Sequence, residues 1–309
     1  MSSQATTLPQ AKSGIARFVR SRAFSGYLFL FPAMILTIVI MLYPLGFALV
    51  ASFEHYELAR PNEQSFVGLA NYAWTFQVPT FFNSIFLTII FTVAAVTLEF
   101  LLGLGFALLL NREFWGQGIV RVILMLPLFL TPSVVGLMFL RLFYPGDGLF
   151  GQFLSIFGFD PNFPLLGSPS TALPSLILVD VWRTTPFMFV VLLAGMQAIS
   201  PEVIEAAQID GAASWQILRQ VTLPLLMPLI LIALTIRGMD AFREFDTFLI
   251  LTGGGPGEAT QVISILAYIL AFHSYDVGRS SAVAWVILLL VLGFSIFFVK
   301  KLRDMQVST

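Results

Sequence analysis

Six long, mostly apolar stretches divide this chain, at approximately 26–52, 84–110, 118–143, 172–198, 224–251 and 281–299. A helix needs about 20 predominantly apolar residues to cross a hydrocarbon core of roughly 30 Å, and each stretch reaches or closely approaches that length. Composition points the same way: 58% of the residues are hydrophobic and only 11% are charged. Water-soluble domains carry roughly 25% charged residues, so the shortage is explained if most of the surface meets lipid. The sequence predicts an all-α, polytopic membrane protein with six transmembrane helices.

Lys12, Arg17, Arg20 and Arg22 precede the first stretch like the charged start of a signal peptide. The apolar run from Gly26 to Ala51 is too long for that role and no small-residue cleavage site closes it, so it reads as a retained span. Orientation follows from lysine and arginine outside the spans. With the N-terminus in the cytoplasm, the inner segments and their flanks hold Lys12, Arg17, Arg20, Arg22, Arg112, Arg121, Arg219, Lys300, Lys301 and Arg303, against Arg60 and Arg279 outside. Both termini are therefore expected in the cytoplasm. The expected organisation is a tail at 1–25, a six-span membrane domain at 26–303 and a short tail at 304–309. Residues 1–11, rich in Ser, Thr and Gln, are expected to be disordered.

Several functions are disfavoured at once. A net charge of −1 gives no electrostatic footprint for nucleic acid. The chain has no cysteine, which rules out disulfides, thiolate metal sites and cysteine nucleophiles, and its two histidines, His55 and His273, suggest no metal cluster. No internal repeat of the kind common in secondary transporters is visible. A GxxxxGK[ST] phosphate loop is also missing, so any ATP hydrolysis is expected on separate subunits. The outer connections read as structured: 66–72 is apolar enough to lie on the membrane surface, and 145–168 is rich in Pro and Gly, favouring turns.

The inner segment at 200–224 is longer than most loops between spans and carries helix punctuation. Ser200 can cap a helix that begins at Pro201, with Glu202 in its first turn, and Gly211 suits the left-handed end. A second helix is expected from about Ser214 to Thr222, with Pro224 opening the next span. Small residues such as Ala206, Ala207, Ala212 and Ala213 allow close approach of another protein, and Glu205 offers it a charge. An amphipathic helix in the headgroup layer fits less well, because the first helix lacks a basic face.

The run Glu205-Ala206-Ala207, Asp210-Gly211-Ala212 and Leu223-Pro224 resembles the EAA loop of permease subunits in binding-protein-dependent ABC importers. Phe66-Val67-Gly68-Leu69-Ala70-Asn71-Tyr72 and Leu251-Thr252-Gly253-Gly254-Gly255-Pro256 are similar to segments of the carbohydrate-uptake class, which includes importers of maltose, trehalose and glycerol phosphate. The second run resembles the MalF type more than the MalG type. The likeness extends over essentially the whole chain after residue 20, without the extra spans and large outer domain of the maltose protein.

The resemblance implies a type I ABC importer permease fold in a bacterial inner membrane, with a cytoplasmic coupling helix centred on Glu205, Ala206, Ala207, Asp210 and Gly211. It implies a second permease subunit, two ATP-binding subunits that carry ATP and Mg, and an external sugar-binding protein. This chain itself would hold no cofactor and would not be an enzyme. A permease for an amino acid or phosphate is the alternative within the class.

Charges inside a bilayer are costly and normally face protein or a water-filled path. Here they gather on two stretches, Asp180 and Arg183 on the fourth and Arg237, Asp240, Arg243, Glu244 and Asp246 on the fifth. At about 1.5 Å per residue, Asp180 and Arg183 fall roughly 14–18 Å in from the outer end, and Arg237 and Asp240 roughly 20–24 Å in from Pro224. Ile236, Asp240, Arg243 and Thr247 share one face at helical spacing.

Sugars are bound by planar polar groups and aromatic faces, which makes Asp180, Trp182, Arg183, Asp240, Arg243, Glu244, Phe242 and Phe245 candidates for a substrate pathway. The same charges equally allow structural pairing of Asp180 or Arg183 with Arg237 or Asp240. Glu99 reads as a buried, hydrogen-bonded or protonated carboxyl. The sugar is left open, and Arg183 and Arg243 admit a sugar acid or sulfonate.

Overall fold

The computed structural model describes residues 22–307; the expected disorder of 1–11 and the basic positions Lys12, Arg17 and Arg20 lie outside them. The described part is mostly helical and contains one two-stranded ribbon, β1 (Glu54–His55) against β2 (Ser65–Phe66). Five helical segments are long and apolar enough to cross a membrane: Phe29–Ser52, Pro79–Leu110, Pro169–Gln197, Ser214–Leu251 and Val277–Asp304. The sixth expected span, 118–143, is not one straight helix. Its halves, Gln117–Phe129 and Pro132–Leu142, meet at 99°. Two prolines account for the break. Pro127 sits in a 3₁₀ turn at Leu126–Phe129, and Thr131, ahead of Pro132, is driven into extended backbone at φ −68° and ψ 146°.

Proline also shapes two of the straighter spans. The first consists of α1 (Arg22–Thr37) and α2 (Tyr43–Ser52), joined by a π turn at Ile38–Leu42. A second π turn, Leu218–Thr222, joins α10 (Ser214–Ile217) to α11 (Leu223–Phe242). In both, a proline (Pro44 or Pro224) is the second residue after the π turn. A proline ring in an α-helix collides with the carbonyl four residues back, and widening the turn to i→i+5 carries that carbonyl away. Pro224 therefore does not open a new span as expected, because the helical segment continues through it from Ser214.

The tightest seam pairs α4 (Pro79–Leu110) with α8 (Pro169–Gln197). Both Gly103 and Gly105 read as close-packing positions in the sequence, yet only Gly103 sits in the seam. A Cβ on Gly103 would stand 2.6 Å from Met188 Cβ and 2.9 Å from the Phe189 nitrogen, whereas Gly105 has nothing within 4 Å. Overpacking of this kind costs about 1–3 kcal/mol. Gly103→Ala is expected to lower the melting temperature of the purified protein and Gly105→Ala to leave it unchanged; equal effects would place the seam elsewhere.

Two outer segments are built into the fold. Segment 66–72 leaves Phe66 and Leu69 exposed and also works as a clasp. Asn71, on α3 (Ala70–Thr75), donates through Nδ2 to the carbonyls of Ser52 (2.9 Å) and Glu54 (2.8 Å), while the Tyr72 hydroxyl lies 2.8 Å from Ser52 Oγ. Both α2 and α3 pack on the last helix, α14 (Val277–Val307), so the clasp ties the first and last spans together at their outer ends. The segment 252–280 is structured as well. It contains an apolar helix at Ile263–His273, too short to span, whose Ile263, Leu266 and Leu270 are buried with Phe81, Val283 and Val286.

Candidate functional site

A ladder of alternating charges crosses three spans. On α4, Glu99 is completely buried and lies 2.7 Å from Arg237 Nε on α11; Arg237 Nη2 also donates to Glu99 Oε1 at 2.9 Å. Arg237 reaches the other way to Asp180 on α8, itself completely buried. Asp180 accepts from Arg183 Nη2 (2.9 Å), and Arg183 also donates to Glu244 (3.0 Å). Thr184 closes the inner end by donating to Glu99 Oε1 at 2.7 Å, and Thr247 closes the outer end by donating to Glu244 Oε1 at 2.8 Å. Burial falls off along the ladder: Arg183 is 15% exposed and Glu244 10%. Every charge in it has an opposite neighbour, which is the condition for ionised groups to persist away from water.

The exposed end of the ladder opens into a cavity of about 460 Å³. Arg183, Asp240, Arg243, Glu244 and Phe245 line it, as expected of a shared site, together with Leu128, Thr184, Phe187, Arg237 and Asp246. Asp240 and Arg243 are paired at 2.6 Å, Asp240 half-exposed and Arg243 largely exposed. The helix breaks after Phe242, between α11 and α12 (Asp246–Leu251), so the single face drawn through Ile236, Asp240, Arg243 and Thr247 does not survive. Thr247 is buried and Ile236 is exposed away from the cavity. The break is stabilised from both sides. Ser264 donates to the Glu244 carbonyl at 2.6 Å, and the Glu244 side chain holds Thr247 at the start of α12.

Asp180 stands behind the cavity wall rather than in it, so the pairing of Asp180 with Arg237 is realised. Trp182 belongs elsewhere. It packs edge-on to Phe139 at 5.3 Å and lines a separate apolar cavity with Phe106 and Pro127. Consecutive helical residues point about 100° apart, which turns Trp182 away from the face shared by Asp180, Arg183 and Phe187. Phe242 is not among the cavity residues.

At the other end of the fold, α9 (Pro201–Ile209) begins and ends close to where its punctuation places it. Ser200 occupies the cap position without a side-chain hydrogen bond, Pro201 having already removed one of the unpaired N–H groups. Gly211 takes φ +79° and starts the turn into α10. Glu205, Ala206, Asp210 and Gly211 are exposed and Ala207 is half-buried, so the helix presents a free face.

Residues 99–308 match the family model described as "Binding-protein-dependent transport system inner membrane component". The chain belongs to this family. It is 40% identical over 277 residues to the trehalose/maltose transport system permease protein MalF of Thermococcus litoralis, covering 89% of this chain and 92% of that one. It is 38% identical over 290 residues to a probable ABC transporter permease protein, y4oQ, of Sinorhizobium fredii, covering 94% and 93%. A bacterial ABC transporter involved in the import of the acidic polysaccharide alginate shares the fold, with a TM-score of 0.82, 24% identity and coverage of 94% and 99%. As an inner membrane component with several apolar spans, the chain is a multi-pass membrane protein.

Within this family member, the sequence singled out the charges but not all their neighbours. Thr184 and Phe187 were missed, although each lies four residues from a charge already identified on α8, so helical spacing would have found them. Leu128 carried no such signal, because it reaches the cavity through the break in the third span.

Proposed function

We propose that this chain is the membrane permease subunit of an ATP-driven, binding-protein-dependent importer of a sugar or sugar derivative, and that the cavity at Asp240, Arg243 and Glu244 is its half of the solute path. The observation that carries this reading is a polar, aromatic-flanked cavity set between apolar spans. Planar carboxylates and guanidinium groups match sugar hydroxyls, and Phe187 and Phe245 supply apolar faces. Similarity to the trehalose/maltose permease favours a sugar over an amino acid or phosphate.

A second permease, two ATP-binding subunits carrying ATP and Mg, and an external sugar-binding protein would complete the assembly, leaving this chain without catalytic activity of its own. Both termini and α9 would lie in the cytoplasm. ATP binding would close the ATPase pair, draw the docked α9 helices together and tilt the spans from inward-open to outward-open.

The test is uptake of a labelled sugar panel by proteoliposomes holding the whole complex, with and without ATP on the ATPase side. ATP-dependent accumulation of at least one sugar is expected. Accumulation driven by an ion gradient, with ATP irrelevant, would overturn the reading.

A further inference from the structure

The charge pairing around the cavity reaches further, to the class of sugar. We propose that this half of the path accepts uncharged solutes and rejects anionic ones, because every arginine on the cavity wall is already held by a carboxylate. The inference rests on the cavity being the solute path. Arg183 is shared by Asp180 and Glu244 at 2.9 and 3.0 Å, Arg237 by Glu99 and Asp180, and Arg243 is held by Asp240 at 2.6 Å. Asp246 also lines the cavity and, among the described residues, has no cation within 4.0 Å. Carboxylates thus outnumber arginines, five to three, in and directly behind the wall.

In the sequence alone, Arg183 and Arg243 equally admit a sugar acid or sulfonate; the pairing removes that option. An anionic solute would find the charge of every guanidinium already balanced, and drawing Arg183 or Arg237 off its carboxylates would leave an unpaired anion in or beside a poorly hydrated wall, which is strongly unfavourable. The surplus negative charge would repel it as well, and the low dielectric between spans strengthens that repulsion. A neutral sugar breaks no pair. A guanidinium has five donors and a carboxylate about four lone-pair sites, so Arg243 and Asp240 keep free positions for hydroxyls while their pair stays intact, and Asp246 adds an unpaired carboxylate.

The test uses the purified, nucleotide-free complex of both permeases and both ATPase subunits, without the binding protein, so that its selectivity does not enter. Equilibrium dialysis measures binding of labelled trehalose and of its mono-uronate, which differs only by oxidation of one C6 hydroxymethyl group to carboxylate. Trehalose is expected to bind at least about tenfold more tightly. Asp240→Asn, at a half-exposed position that tolerates the change without threatening the fold, frees Arg243 and is expected to reduce that preference to about threefold or less.

Equal binding of the two solutes, tighter binding of the uronate, or a preference untouched by Asp240→Asn would overturn the charge inference while the path assignment stands. If neither trehalose nor any other neutral sugar of the uptake panel binds, the path assignment fails and the inference with it.

Discussion

Arg237→Leu is expected to be the most damaging single substitution in the membrane domain. The guanidinium is 4% exposed and stands between two carboxylates, Glu99 and Asp180, that are completely buried. Its removal leaves Glu99 with only the Thr184 hydroxyl and strips Asp180 of one of its two arginines. Breaking a buried pair in this way costs about 3–5 kcal/mol, chiefly because an uncompensated charge remains. The purified complex should therefore lose most of its folded yield, and the surviving material should melt well below wild type.

A compensated variant separates lost charge balance from lost packing. Arg237→Leu combined with Glu99→Met removes one charge of each sign and leaves Asp180, Arg183 and Glu244 still alternating. Buried pairs replaced by apolar residues of similar volume are often neutral or better, so the double variant should recover most of the yield and melting temperature. If it is no more stable than Arg237→Leu alone, the ladder is not what holds α4, α8 and α11 together.

That ladder also shows how far the sequence could be read. Asp180, Arg183 and Arg237 stood out because charge in an apolar stretch is expensive, and a structural pairing between the fourth and fifth spans was one of the two readings it allowed. Glu99 was legible as a buried, hydrogen-bonded or protonated carboxyl. Its pairing with Arg237 was not, because the two are 138 residues apart and helical periodicity fixes a face without naming the neighbour that face meets.

The same limit misplaced Trp182, which is adjacent to Arg183 in the chain but turned toward another cavity. Hydropathy found five spans with usable bounds, since an apolar run of sufficient length identifies a membrane helix without reference to its neighbours. It missed the helix at Ile263–His273, which is apolar but too short to count, and it could not show that the prolines at 127 and 132 bend the third span by 99°. The helix Pro201–Ile209 was the most legible element, because Pro201 and Gly211 mark its ends by backbone chemistry that needs no tertiary partner.

Glu205→Arg is expected to abolish sugar uptake while leaving the protein folded. Glu205 is exposed on α9 and its side chain makes no hydrogen bond or ion pair among the described residues. Of the other elements, α9 packs chiefly against the short α10, so the substitution disturbs no core. Surface changes of this kind usually shift stability by no more than about 0.5 kcal/mol, and the melting temperature of the isolated subunit should barely move.

If α9 is the surface on which an ATPase subunit docks, reversing the charge at a desolvated contact costs about 2–5 kcal/mol, or at least about thirtyfold in docking strength. Uptake in cells should fall by a similar factor with the subunit still in the membrane, and less ATPase should co-purify with it. Glu63→Arg makes the same charge change on an exposed 3₁₀ turn remote from α9 and should leave uptake near wild type. The comparison matters because both changes alter net charge equally, so only position can separate them. Full uptake in Glu205→Arg would mean that α9 does not couple the ATPase to the spans, and the importer reading would lose its mechanical link between ATP and the cavity.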